Sequence, residues 1–204
     1  KAGIFLMLRL WPVLAGTQTW FYVVAGTGLV TMLLAAIIAL FRDDLKSILA
    51  YSTISHLGIM TMLIGLGSEM AVVACVFHVI NHAMFKAALF MNAGIVDYET
   101  GTRDITKLGG LASLMPISAV TAIFAAASMA GLPPMNGFLS KEMMLEEVVH
   151  APAILAPWLL PGLVMLGSAF SVAYSLRFLF FTYFGTVRGD YPLKPRDPVV
   201  GLWI

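Results

Sequence analysis

Apolar residues run through this chain in long stretches, interrupted at intervals by short groups of polar and charged residues. Six runs can be read: residues 1–10, 22–41, 45–66, 71–96, a fifth starting near 111, and 155–184. The fifth meets Gly131, Pro133, Pro134 and Gly137 and resumes over 138–150. A helix crosses a bilayer with about 20 apolar residues. The runs are that long, do not alternate and carry no hairpin signals, so they predict transmembrane helices and not strands. Pro116 suits the first turn of the fifth helix. The expected fold class is all-α: a polytopic transmembrane helix bundle with one broken helix. The expected organisation is a single transmembrane domain over 1–204. Residues 1–10 form the tail of a helix, 22–184 five spans, and 185–204 a loop and the start of a further segment.

Composition narrows the class. Of 204 residues, 60% are hydrophobic and 11% charged, against about 25–35% charged positions on a soluble surface. The net charge of +1 and the lack of a basic cluster exclude nucleic acid as a partner. A single cysteine, Cys75, excludes a disulfide scaffold. The partner this leaves is the lipid bilayer. The chain begins with Lys1 and ends in an apolar stretch, which leads to the expectation of a piece from within a longer polypeptide.

Loop charges set an orientation. Counted in order, the six connections carry zero, two, zero, two, zero and three Lys or Arg residues. The loops holding Arg42, Arg103 and Arg188 are then expected in the cytoplasm. The alternation holds only if the fifth segment crosses once despite its break.

Ionisable residues at membrane depth cost about 2.5–3.5 kcal/mol on insertion scales, so they mark candidate functional positions. The strongest group is His78, His82 and Lys86, spaced i, i+4, i+8 around Asn81. Successive members lie about 40° apart and share one stripe of the helix. Histidine titrates near neutrality and desolvation draws lysines toward that range, so the stripe reads as a proton ladder facing a polar interior. Asn81 and Lys86 suit water wires better than a metal shell, so no metal is expected. Methionines at 60, 62, 143 and 144 read as packing.

Lys46 opens the third segment, followed by Tyr51, Ser52, Thr53, Ser55 and His56. Two readings are open for Lys46: snorkelling at the interface, or membership of a polar path. His56 lies about 15 Å deeper at 1.5 Å per residue. The hydroxyls there could line a hydrated path or join helices.

In the fifth segment, Gly131, Pro133, Pro134 and Gly137 interrupt the helix just before Lys141 and Glu142. Such breaks occur where freed backbone lines a cavity. The alternative is a span completed before the break, with Lys141 on an interfacial helix. With Arg9 at a helix end, Lys1 would be buried about 12 Å inward. Arg177 reads as buried and ion-paired. Glu69, Asp97 and Glu99 read as solvated loop charges.

Three strings carry a resemblance: Asp44–Gly58 (DLKSILAYSTISHLG), Asn81–Ala87 (NHAMFKA) and Gly137–Glu142 (GFLSKE). Together they resemble the antiporter-like membrane subunits of respiratory complex I and of the multisubunit Mrp-type cation/proton antiporters. The strings at 1–4, 101–104 and 129–134 look most like the MrpA-type branch of the Mrp group.

The resemblance implies two inverted five-helix repeats, of which 22–184 matches the second. It also implies a proton path through Lys1, Lys46, His78, His82, Lys86 and Lys141, with Lys86 on the central axis and Lys141 on the broken helix; His56 and Glu142, candidates by their own positions, complete the expected path. The family's first-half glutamate–lysine pair is not in this sequence. The implied function is proton translocation in a Na⁺/H⁺ or K⁺/H⁺ antiporter of a bacterial inner membrane, working with other membrane subunits of a hetero-oligomeric complex. The competing implication is a proton-pumping subunit of a complex I-like oxidoreductase or membrane-bound hydrogenase. No redox motif is present, so no cofactor is expected.

Overall fold

The computed structural model describes residues 1–151, 157–188, 191 and 194–197. The segment expected to begin at the C-terminal end lies outside them. The described residues are helical, and the β-type pairing among them is one isolated bridge, Asp44 with Asp104. The helices are α1 (Ala2–Leu14), α2 (Gln18–Trp20), α3 (Gly26–Leu40), α4 (Leu45–Leu66), α5 (Glu69–Thr100), α6 (Pro116–Ala130), α7 (Asn136–His150) and α8 (Leu159–Tyr183). A π-helical turn, Phe21–Ala25, fuses α2 and α3 into one rod from Gln18 to Leu40. Nothing in the apolar pattern signals that turn.

Local chemistry sets the ends. Asp44 caps α4 by accepting from the Ser47 amide at 2.7 Å, and Ser68 caps α5 by accepting from Ala71 at 3.0 Å. Gly131 closes α6 in the left-handed region at φ +82°, where a side chain would be strained. Its amide returns to Ala127 and Ser128. The chain then turns through Leu132–Met135 into α7, so the fifth segment is the expected broken helix. Asn81 Nδ2 donates to Asn136 O at 3.1 Å and ties α5 to the start of α7.

Packing uses both large and absent side chains. Gly28 and Gly58 face each other, and a β-carbon on either would enter the backbone of the other helix, at Met62 or Met32. Small residues of this kind let membrane helices approach closely. Two apolar clusters fill the bundle. One is built around Ile48, Leu89, Ala122 and Phe178, the other around Met32, Leu63, Ala74 and Val164. His56, His78, His82, Lys86 and Lys141 belong to neither cluster.

The two ends of the bundle differ in charge. Leu45 N donates to Arg103 O, Ile105 N to Asp43 O and Gly110 N to Phe184 O, which gathers the Arg42, Arg103 and Arg188 connections at one end. At the other end the Ser68 hydroxyl donates to the Glu147 carboxylate. This is the segregation that the alternating loop charges predict.

Candidate functional site

A polar chain crosses the interior from α7 to α4 and back to α7. Lys141, on the first turns of α7, donates to Ala130 O at 2.9 Å and to Ser171 Oγ at 3.1 Å. The first of these acceptors is one that the end of α6 leaves open. Ser171 sits at the midpoint of α8 and donates to Met129 O at 3.3 Å. One turn on, the Tyr174 hydroxyl lies 3.1 Å from Ser171 Oγ and 3.3 Å from His56 Nε2. His56 Nδ1 lies 2.9 Å from His78 Nε2, and His78 Nδ1 lies 3.0 Å from Ser140 Oγ. Ser140 donates to Gly137 O at 3.2 Å. Every member is buried, and Lys141 is 7% exposed.

Donor and acceptor counting gives the chain a direction. Ser140 spends its proton on Gly137 O, so it accepts from His78 Nδ1–H. A neutral His78 then accepts at Nε2 from His56 Nδ1–H, leaving a lone pair on His56 Nε2 toward Tyr174. Along the histidines, donation runs from α4 to α7.

Lys86 stands on the other side of this cluster. Its ammonium donates to Ser52 Oγ at 2.5 Å and to Leu49 O at 3.2 Å on α4. His82 packs between, its ring 5.4 Å from those of His56 and Phe85. Both its ring nitrogens are buried without a protein partner among the described residues. The i, i+4, i+8 stripe is therefore real as a face, but Lys86 turns to α4 and not to His82. The hydroxyls of α4 divide by role: Ser52 meets Lys86, while Ser55 donates to Met32 O on α3 and joins helices.

Other positions resolve differently. Lys46 is ion-paired at the bundle's basic end, 2.8 Å from Asp97, with 40% of its side chain exposed. Asp97 is thus a helix residue with a partner and not a loose loop charge. Arg177 is ion-paired as expected, 2.5 Å from Asp43, though a quarter of its side chain reaches the surface. The end of α1 corrects the sequence reading. Helix α1 runs past Arg9 to Leu14, with Pro12 inside it, so Arg9 does not mark its end. The amine of Lys1 reaches Val79 O on α5 at 3.1 Å.

Glu142 is exposed and outside the hydrogen-bonded chain. It lines a groove of about 710 Å³ with Gly131, Lys141, Glu146, His150 and Ser168. The break residues Pro133 and Pro134 occupy the turn between α6 and α7. No group of three or more His, Cys, Asp or Glu side chains is placed to hold a metal ion among the described residues.

Sequence reading missed Ser140, Ser171 and Tyr174. Ser171 and Tyr174 are spaced i, i+3 on a span with no acidic residue, and that spacing was the available signal.

Residues 1–170 match the NADH:quinone oxidoreductase/Mrp antiporter transmembrane family. Among curated relatives, the A/B-type subunit of a probable K⁺/H⁺ antiporter from Rhizobium meliloti is 53% identical over 97% of this chain and 20% of its own length. The A-type subunit of the Na⁺/H⁺ antiporter from Alkalihalophilus pseudofirmus is 43% identical over 100% of this chain and 28% of its own. The chain thus spans about a fifth to just over a quarter of the length of these relatives. The Mrp complex from Dietzia sp. aligns with a TM-score of 0.88 at 41% identity, over 100% of this chain and 22% of that one. The membrane-bound sulfane sulfur reductase, an archaeal respiratory membrane complex, aligns with a TM-score of 0.82 at 33% identity, over 90% and 30%.

Proposed function

Since the chain belongs to the NADH:quinone oxidoreductase/Mrp antiporter transmembrane family, we propose that it carries protons across the membrane interior as part of a monovalent cation/proton antiporter. The observation that carries this reading is the buried chain Lys141–Ser171–Tyr174–His56–His78–Ser140, whose successive polar atoms lie 2.9–3.3 Å apart. Bilayer interiors reject uncompensated polar groups, so a chain of titratable side chains there argues for transport. Lys86 with Ser52, and His82 beside it, form the second arm.

The mechanism is electrostatic. A proton arriving near Lys86 raises the cost of charging Lys141, because charges interact strongly in a medium of low dielectric constant. The two lysines then load in alternation, and the histidines between them pass the proton. This is secondary transport and not enzyme chemistry. The relatives' names carry both K⁺/H⁺ and Na⁺/H⁺ activities, so the exchanged ion is one of these two. The partners are further membrane subunits, and the location is the bacterial cell membrane.

A redox-driven proton pump is the second reading, favoured by the likeness to the archaeal respiratory complex. Everted vesicles holding the full-length protein and its partners separate the two. Cation addition that collapses an imposed proton gradient, with Lys86→Ala abolishing the response, supports antiport and names the ion. Gradient formation that needs an electron donor and ignores Na⁺ and K⁺ replaces it with the pump.

A further inference from the structure

Tyr174 is the side-chain link between the histidine cluster and Lys141 among the described residues. Its hydroxyl is within hydrogen-bonding reach of His56 Nε2 at 3.3 Å and of Ser171 Oγ at 3.1 Å, and Ser171 takes a bond from Lys141. The ring is fully buried. A phenol has one proton, so it donates to one of these two neighbours at a time. Which one depends on His56. Neutral His56 donates through Nδ1 to His78 and offers a lone pair at Nε2, so the Tyr174 proton turns to His56. Protonated His56 donates at Nε2 as well, so Tyr174 accepts there and its own proton turns to Ser171.

We propose that the Tyr174 hydroxyl is a two-position proton switch joining His56 to Lys141. This rests on the transport reading above and adds a residue to it. The transfer balances. His56 Nε2–H passes to Tyr174 Oη, the Tyr174 proton to Ser171 Oγ, and the Ser171 proton, turned from Met129 O, to the lone pair of a neutral Lys141. Imidazolium and amine become imidazole and ammonium. Tyr174 and Ser171 then each hold one proton pointing backward, and both hydroxyls must rotate before a second transfer. The rotation makes the link a gate and not an open wire.

The titratable groups around the switch are His56 on α4, His78, His82 and Lys86 on α5, and Lys141 on α7. Helices α3 and α6 also pack on α8 and bring no titratable side chain. The switch therefore answers to the histidine–lysine cluster, with Glu142, Glu146 and His150 of α7 facing α8 in the groove beside Lys141.

The test uses the full-length protein in its assembled complex, in everted vesicles, with cation-driven proton exchange as the readout. Tyr174→Phe keeps the ring and removes the hydroxyl. The expected result is loss of most exchange with assembly intact. Ser171→Ala is expected to lose as much, and the double variant no more than either single one, because the two groups act in series. A fluorinated tyrosine at 174, which keeps shape and hydroxyl but is more acidic, is expected to shift the pH profile of exchange. This variant serves if the phenylalanine one does not assemble. Exchange at the wild-type rate in Tyr174→Phe, or an unmoved pH profile with the fluorinated residue, overturns the switch. Lys141→Ala keeps the two claims apart: if it abolishes exchange while Tyr174→Phe does not, the switch alone fails, and if Lys141→Ala is itself silent, the transport reading fails.

Discussion

His56 Nδ1 and His78 Nε2 lie 2.9 Å apart, and one proton is shared between them. The two residues come from adjacent helices, α4 and α5, and their rings are nearly parallel, 19° apart. Two nitrogens this close cannot both carry a proton on their facing sides, so the pair holds at most one excess proton across this contact. Such a pair acts as a unit. Replacing either histidine by alanine is expected to slow transport by about 100-fold or more, the lower end of the range for losing a proton-transfer group. The double replacement is expected to slow it no further. Multiplying losses in the double variant, measured by dye quenching in vesicles, would show two independent groups instead.

Lys86 gives a second prediction. Among the described residues its amine meets only a hydroxyl and a carbonyl, neither of which carries charge. Nothing in that pairing demands a permanent cation, and a proton carrier must be able to give its proton up. Lys86→Arg keeps a positive charge that does not leave. Both Lys86→Arg and Lys86→Ala are therefore expected to abolish exchange while the complex still assembles. Activity in the arginine variant would mean that the site needs charge and not proton release.

Most of the fold was legible in the sequence because the bilayer imposes length and apolarity directly. The span read over 45–66 coincides with α4, and the break between α6 and α7 follows from glycines and prolines whose backbone limits are local. What was not legible depends on neighbours. Arg9 is read as the end of α1, and only the structure carries that helix on through Pro12 to Leu14. Tyr174 and Ser171 look like ordinary members of an apolar span, and their contacts with His56 and Lys141 appear only when α8 lies beside α4 and α7. The pairing of Lys46 with Asp97 spans 51 positions of sequence, so no local spacing could announce it.

At the basic end, Asp104 yields a pH prediction. The Thr106 hydroxyl donates to its carboxylate at 2.7 Å and the Thr106 amide at 2.9 Å. These bonds, the hydroxyl first, hold the Asp104 carboxyl below the usual carboxylate range. A depressed folded-state pKa contributes stability above the unfolded value and loses it as pH falls through the folded one. Thr106→Val removes the hydroxyl, so it is expected to raise the Asp104 pKa and move the acid loss of stability to higher pH. A carboxylate titration by NMR or infrared difference measures the shift, and an unmoved Asp104 contradicts the assignment.

The last prediction joins packing to transport. Gly58 lies two residues from His56 on α4, and its α-carbon faces the α3 backbone at Met32 with no space for a β-carbon. Any larger residue must push α3 and α4 apart. His56 rides on α4, while its partners Tyr174 and His78 are held by α8 and α5. The Tyr174 contact is already 3.3 Å, near the outer limit of a hydrogen bond. A shift of about 1 Å can cost on the order of 100-fold where groups must meet in line. Overpacking alone costs about 1–3 kcal/mol of stability. Gly58→Val is therefore expected to lose transport by a much larger factor than it loses assembled protein, while Gly94→Ala, at a glycine with open space around it, leaves both unchanged. Parallel measurement of complex yield and exchange rate decides the matter. Equal losses in the two would mean that the α3–α4 contact serves stability only and does not set the position of His56.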